Sequence, residues 1–255
     1  MQLMTGRVIG SSRTGQVRLL HEDDRYLAVH KPAGLLVHKT PLDAHEPENL
    51  RDILRAVCPG RLDPVHRLDK PTSGVIVFGK DPAAIDHVKR QFESRSTVKH
   101  YLAVVRGHVH GAGCIGKPLP KGMTGPPKLA RTSYDVVGRV EWPYPVSRYA
   151  SARFSLVDCV PHTGRYHQLR LHFRHFRHPI VGDSQHGDKP QNRAFAVHTG
   201  IAGLLLHARH YAFDHPNGGR LYLDAGLPDR WSPLGDMTDW PMDEFAPDRA
   251  SIVLP

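Results

Sequence analysis

Cysteine is scarce in this 255-residue chain: there are three, Cys58, Cys114 and Cys159, widely spaced and odd in number. With no Cys-x-x-Cys pair they suggest neither a disulfide framework nor a thiolate zinc site, and buried free thiols are the simpler expectation. Long apolar runs are missing too. Nothing approaches the roughly 20 consecutive apolar residues of a membrane-crossing helix, and Met1 to Leu20 has no apolar centre followed by a small-residue cleavage site. A soluble, cytoplasmic protein is expected. The sequence is read as lacking both a Gly-x-x-x-x-Gly-Lys phosphate loop and a Gly-x-Gly-x-x-Gly loop, so neither ATP nor nicotinamide chemistry is indicated. Nineteen histidines invite a metal, with His167, His172, His175 and His178 inside twelve residues. Yet His-Glu-x-x-His is absent and no cysteine lies within the cluster, so the expectation is no metal and no cofactor.

What the chain does have is positive charge. Its 34 Lys and Arg against 25 Asp and Glu leave a formal +9, a surplus that draws polyanions: RNA, DNA or acidic membranes. With 40% hydrophobic residues, one core, or two lobes sharing a sheet, is affordable. Residues 1–16, with Arg7, Arg13 and several Gly and Ser, read as a loose basic extension, and order is expected from Val17. Strand patterns follow at Tyr26–Val29, Val75–Phe78, Tyr101–Val105, Tyr134–Val140, Ala152–Asp158, Tyr211–Phe213 and Leu221–Leu223. Helical spacing appears at Leu50, Ile53, Leu54 and Val57, and from Pro82 to Arg95 behind Asp81. Gly111 to Pro127 reads as a long exposed loop. Residues 226–255, carrying Asp229, Asp236, Asp239, Asp243, Glu244 and Asp248, read as an acidic, proline-rich tail. Strands outnumber helices and often follow one another directly, which predicts an α+β fold: a mixed, largely antiparallel sheet core with flanking helices and loops, in a single domain over 17–225.

Two stretches carry chemistry. In His66-Arg67-Leu68-Asp69-Lys70-Pro71-Thr72-Ser73-Gly74 one carboxylate stands among three basic residues, between a proline turn and a strand. Such an acid stays ionised near neutral pH and is available as a nucleophile or base; the plainer alternative is a solvated turn whose Asp caps a backbone amide. The second is Pro161 to Pro179, where Tyr166, Leu169, Phe173 and Phe176 recur on one helical face and Arg170, Arg174 and Arg177 on another. Residues 161–193 hold four more Lys and Arg than Asp, a density suited to gripping phosphate with guanidinium forks.

Taken in order, His66-Arg67-Leu68-Asp69 with Thr72-Ser73-Gly74, Lys99-His100-Tyr101, and Thr163-Gly164-Arg165 with His167-Gln168-Leu169-Arg170 and His172 resemble the RluA-type pseudouridine synthases. Lys31-Pro32-Ala33-Gly34, Val181-Gly182-Asp183 and Leu206-His207-Ala208 match as well, so the likeness spans roughly residues 17–225. It implies the pseudouridine synthase fold with a catalytic cleft across the sheet. It also implies an isomerisation that detaches uracil from ribose and rejoins it through carbon 5, with no redox partner and no ATP. By the same resemblance Asp69 is the catalytic aspartate and Arg170 its basic partner. Tyr101 is the tyrosine that stacks on the uracil and stands where the carbon 5 proton leaves, and Arg67 fills the space left by the extruded base. Further RNA contacts are expected from His66, Arg165, Arg174 and Arg177. The branch acting on uridine 65 of tRNA looks nearest, through Ser147-Arg148-Tyr149 and Arg177 to Asp188; another tRNA uridine or large-subunit ribosomal RNA are the alternatives. A non-catalytic RNA-binding protein is the reading from a different class. A monomer is the default.

Overall fold

The computed structural model describes residues 6–39, 43, 45–120, 122 and 125–242. In chain order the strands and helices are β1 (Val8–Ser12), β2 (Gly15–Glu22), β3 (Tyr26–Lys31), α1 (Leu50–Val57), β4 (Asp63–Pro64), β5 (Ser73–Gly79), α2 (Pro82–Ser94), β6 (Val98–Arg106), β7 (Gly113–Ile115), β8 (Leu119–Pro120), β9 (Pro127–Lys128), β10 (Thr132–Trp142), β11 (Ala152–Pro161), α3 (Gln168–His175), α4 (Lys189–Thr199), β12 (Leu206–Asp214), β13 (Arg220–Asp224) and α5 (Ser232–Met237). They fall into two compact units. The described residues of Met1–Lys99 and Ala208–Pro228 make the first, and those of His100–His207 and Asp229–Ala246 the second.

The first unit orders its strands β1-β2-β3-β5-β12, with β4 on β5 and β13 on β12. Every residue of β3 and β5 is buried, which is why Val75 to Phe78 reads as an unbroken apolar run rather than an alternating one. Gly74, at φ 119°, begins that run: a Cβ there would stand 2.1 Å from the Ala208 carbonyl oxygen, so only glycine lets β12 approach. Asp81 caps α2 by accepting from the Ala84 amide at 2.9 Å, with Pro82 in the first turn, as its sequence predicts. Ala84, Ile85 and Val88 then pack with Tyr26, Val75, Val77, Tyr211 and Phe213 into one core.

The second unit orders its strands β6-β11-β10-β7, a largely antiparallel arrangement with Val104 opposite Leu156 and Val136 opposite Val157. Ala103 and Val105 of β6 meet Leu169 and Phe173 of α3 in its core, and Tyr101 packs against the same cluster.

Four expectations change. Val8–Ser12 is a strand paired with β2, so order begins well before Val17. Past residue 225, Trp231 and Leu234 are fully buried and Trp240 nearly so, because these apolar residues outweigh the surrounding acids; Asp243, Glu244 and Asp248 lie outside the described residues. The central loop carries short strands, β7 on β10 and β8 on β9. Within it Gly111, Gly113, Gly116 and Lys117 do carry the glycine spacings read as absent, yet Cys114 pairs with Ser133 in the sheet and the next helix among the described residues is α3, so the structural setting of a phosphate loop is not met. Finally, the basic helix is shorter than the periodic positions from Tyr166 to Arg177 predict, spanning only Gln168–His175. Gln168 turns its amide back to accept from Thr163 Oγ1 at 2.7 Å and the Arg165 amide at 3.1 Å, while donating to the Arg131 carbonyl and Thr132 Oγ1, each at 3.0 Å. Those four bonds hold 163–167 as a loop, and the helix starts only after His167, whose φ is 50°.

Candidate active site

Asp69 sits in the loop that joins β4 to β5. Val65 and Leu68 are buried and anchor the loop, while Arg67 between them is exposed and Asp69 half-buried. Backbone bonds tighten it: the Thr72 amide donates to the Asp69 carbonyl at 3.0 Å, and the Gly34 amide to the Lys70 carbonyl at 2.8 Å. His66, expected to touch RNA, turns its ring inward. Its Nε2 accepts from the Val77 amide at 3.2 Å, and its ring centroid lies 4.8 Å from that of Tyr211. Burial, followed by the nearby Lys99 ammonium, pulls its pKa down to about 3, so it is neutral at physiological pH and serves to hold the loop.

Beneath this loop lies a residue whose role sequence reasoning left unassigned. Lys31 is completely buried, and its ammonium donates to the carbonyls of Leu35 at 2.7 Å, Pro32 at 2.9 Å and Lys70 at 3.2 Å. All three donors are therefore used. Burial pulls its pKa down to about 7, with the Asp69 carboxylate working in the opposite direction. Lys31 thus stitches the Lys-Pro-Ala-Gly turn to the residue following Asp69.

In the second unit, Tyr101 stands in β6 opposite Cys159 of β11, on the face covered by α3. Arg170 belongs to α3 but not to an exposed stripe: only 3% of its surface is accessible. Its Nε donates to Asp183 Oδ2 at 2.7 Å and its Nη2 to Asp183 Oδ1 at 2.9 Å and Gln185 Oε1 at 3.2 Å. Asp183 Oδ1 also accepts from the amides of Gln185 and His186. Burial alone would raise the Asp183 pKa, but the Arg170 bonds and the two amides outweigh it and hold it below the ordinary carboxylate value. The fork of one guanidinium on one carboxylate fixes the guanidinium plane, which a lysine here would not do. Gly182, at φ 77°, makes the turn into Asp183 possible, since a Cβ would lie 1.8 Å from the Gly203 carbonyl oxygen.

The other predicted contacts differ in kind. Arg174 and Arg177 are exposed, and Arg165 donates through Nε to the Leu129 carbonyl at 3.1 Å. Within the histidine cluster, His172 spends both nitrogens on protein, Nδ1 with Thr132 Oγ1 at 2.9 Å and Nε2 with the Lys117 carbonyl at 3.0 Å. His178 Nδ1 meets the Arg106 carbonyl at 2.8 Å. Among the described residues no helix is long and apolar enough to cross a membrane.

Comparison with known proteins agrees with this assembly of motifs. Residues 25–175 match the family described as RNA pseudouridylate synthase. A protein of Pasteurella multocida named tRNA pseudouridine synthase C is 40% identical over 240 residues, which cover 90% of this chain and 99% of that one. Its namesake in Haemophilus influenzae is 40% identical over 235 residues, covering 88% and 98%. Among solved structures, Human RNA Pseudouridylate Synthase Domain Containing 1 superposes with a TM-score of 0.68 at 22% identity, over 91% of this chain and 97% of its own. Human RNA Pseudouridylate Synthase Domain Containing 4 does so with a TM-score of 0.66 at 25% identity, over 85% and 92%. The fold is that of the pseudouridine synthases, and with the family match and the long relatives at 40% identity this chain belongs to the RNA pseudouridylate synthase family, as an isomerase of the RluA type.

Proposed function

We propose that this chain acts in the cytoplasm, as a monomer, on tRNA, where it converts uridine 65 to pseudouridine. The observation that carries the substrate class is the similarity to relatives named for tRNA, at 40% identity across nearly their whole length. In this reading Asp69 is the reacting carboxylate, acting at the ribose or at the base while the glycosidic bond breaks. Arg170, its plane already set by Asp183, keeps the reacting carboxylate charged and aimed. The Tyr101 ring stacks on the uracil and its hydroxyl serves the proton leaving carbon 5. A stacked uridine must first be extruded, at a cost of about a few kcal/mol, and the exposed Arg67 supplies the flat group that fills the gap. Arg165, Arg174 and Arg177 bind backbone phosphates. No cofactor or metal takes part in this scheme.

The test is Asp69→Asn, which keeps size and polarity and removes only the ionised group. Pseudouridine formation should fall at least 100-fold while tRNA affinity stays within about threefold of wild type. A variant retaining a tenth of wild-type turnover would refute the assignment. Mapping pseudouridines in cells with and without the gene settles the position: uridine 65 should revert, and reversion at a different tRNA uridine or in large-subunit ribosomal RNA would replace the target.

A further inference from the structure

The second unit holds an open concavity of about 690 Å³ whose lining includes Arg106, Arg174, Arg177, His186, Asp188 and Lys189. Its charges are not equivalent. Asp188 accepts from the Gln191 amide at 3.1 Å, capping α4, and its other oxygen pairs with Arg106. That carboxylate therefore neutralises one cation and occupies the helix end. Arg174, Arg177 and Lys189 are exposed, and none of the three has an ion pair or side-chain hydrogen bond among the described residues. Three uncompensated cations remain around one hollow, repelling one another, an arrangement that a bound anion relieves.

Arg177 adds an independent sign. Helix α3 closes with the His178 amide donating to the Phe173 carbonyl at 2.9 Å and the Arg177 amide to the Arg174 carbonyl at 3.0 Å. This is the Schellman turn, whose left-handed position usually belongs to glycine. Here that position is Arg177, at φ 65°. Glycine would fit with less strain, so the backbone bears a cost to keep a guanidinium at the rim of the hollow. The same turn is braced from the sheet, since the Arg106 amide donates to the Pro179 carbonyl at 3.0 Å. Arg174 and Arg177 are thus held three residues apart on a rigid corner rather than on a mobile arm.

We propose that this hollow is a single-phosphate site: Arg174, Arg177 and Lys189 together grip one backbone phosphodiester of the RNA substrate, and so fix where the duplex or loop lies on the second unit. The inference rests on the proposed RNA substrate but adds a defined number of phosphates and the position of Lys189 to it. Two arginines with one target have a measurable signature. The dependence of log affinity on log salt reports the number of phosphates neutralised, about 0.7 to 0.9 per phosphate, not the number of cations.

The experiment measures tRNA binding between 50 and 300 mM salt for the full chain, Arg177→Gly, Arg174→Ala, Lys189→Ala and the double variant Arg174→Ala/Arg177→Gly, with melting temperatures alongside. Arg177→Gly should weaken binding about 5- to 20-fold yet raise the melting temperature by about 1–4 °C, because the side chain goes and the strain goes with it. Each single variant should flatten the salt slope by at most about 0.9, and the double variant by no more than that. Unchanged affinity and slope in Arg177→Gly, or a double variant whose slope drops by two full phosphates, would overturn the site. Pseudouridine formation by the unsubstituted protein is followed in parallel: its absence would sink the proposed reaction, while the slopes still decide the phosphate site.

Discussion

Replacing Lys31 by Met tests how the Asp69 loop is held. Methionine keeps most of the volume and removes the ammonium. Three hydrogen bonds disappear, to Pro32, Leu35 and Lys70. The Lys70 carbonyl still accepts from the Gly34 amide, so the full penalty falls on the other two carbonyls, about 1–3 kcal/mol each when left buried and unpaired. Against that stands the relief of no longer burying a charge. Near pH 6.5 the two largely oppose each other, and the variant should lose about 1–3 kcal/mol. The pH dependence is sharper. The folded pKa of Lys31 is about 7 against 10.5 for a free lysine, so between those values the unfolded chain binds more protons than the native one. Wild-type stability therefore gains with rising pH from that group across pH 7–10.5, by up to about 4–5 kcal/mol. Below pH 7 both states are protonated and nothing further changes. Lys31→Met lacks this gain, so the stability difference between wild type and variant should widen from pH 6.5 to 9.5 in urea melts. Lys99, also brought down to about 7 by burial, titrates in both proteins and cancels. Parallel curves would refute the reasoning: they would mean that three carbonyls suffice to keep the ammonium charged in the fold. In the same variant kcat/KM should fall about tenfold or more, because the tether to Lys70 sets the position of the neighbouring Asp69.

Other substitutions separate holding from acting. Asp183→Asn leaves the Arg170 guanidinium buried at 3% exposure without its counter-charge, and chemical denaturation should show a loss of about 3–5 kcal/mol; a loss under 1 kcal/mol would contradict the pairing. Arg67→Ala removes an exposed side chain, so the melting temperature should stay within about 2 °C while pseudouridine formation drops at least tenfold; a large stability change would show that Arg67 packs rather than projects. His66 has its folded pKa lowered to about 3 from 6.5, so the unfolded chain takes up that proton first as pH falls below 6.5. Stability should decline from there toward pH 3, and His66→Gln should decline less steeply in acid titrations followed by circular dichroism.

Which parts of this molecule its sequence discloses follows from how local their causes are. Helix α2 is written in four nearby residues: Asp81 as cap, Pro82 in the first turn, and Ile85 and Val88 on the buried side. The apolar run of β5 and the Arg-Leu-Asp loop ahead of it are equally local, and the resemblance carried by Asp69, Tyr101 and Arg170 led to the family that comparison then showed. What stayed hidden depends on partners far along the chain. Periodicity alone carries α3 back to Tyr166, because the bonds that stop it run from Gln168 to Arg131 and Thr132, about 36 residues away. Arg170 counts as one of three stripe residues until Asp183, thirteen positions on, is seen to draw it inside. Lys31 looks like an ordinary lysine before a proline turn, and only the fold reveals that Lys70, 39 residues later, presents a carbonyl to its ammonium.

The same contrast orders the chemistry. Charged groups that a pattern marks as functional divide into two kinds once their surroundings are known. Arg67, Arg174 and Arg177 project from the surface, whereas Lys31, His66 and Asp183 are turned inward: Lys31 Nζ and His66 Nε2 bond to the backbone, and Asp183 pairs with Arg170. Substituting the first kind should change binding and leave melting largely alone; substituting the second should move stability first and activity through it. An arginine that violates its own backbone preference, as Arg177 does, is the case where the two readouts move in opposite directions, and it is therefore the residue at which a function-driven side chain is most cleanly told from a structural one.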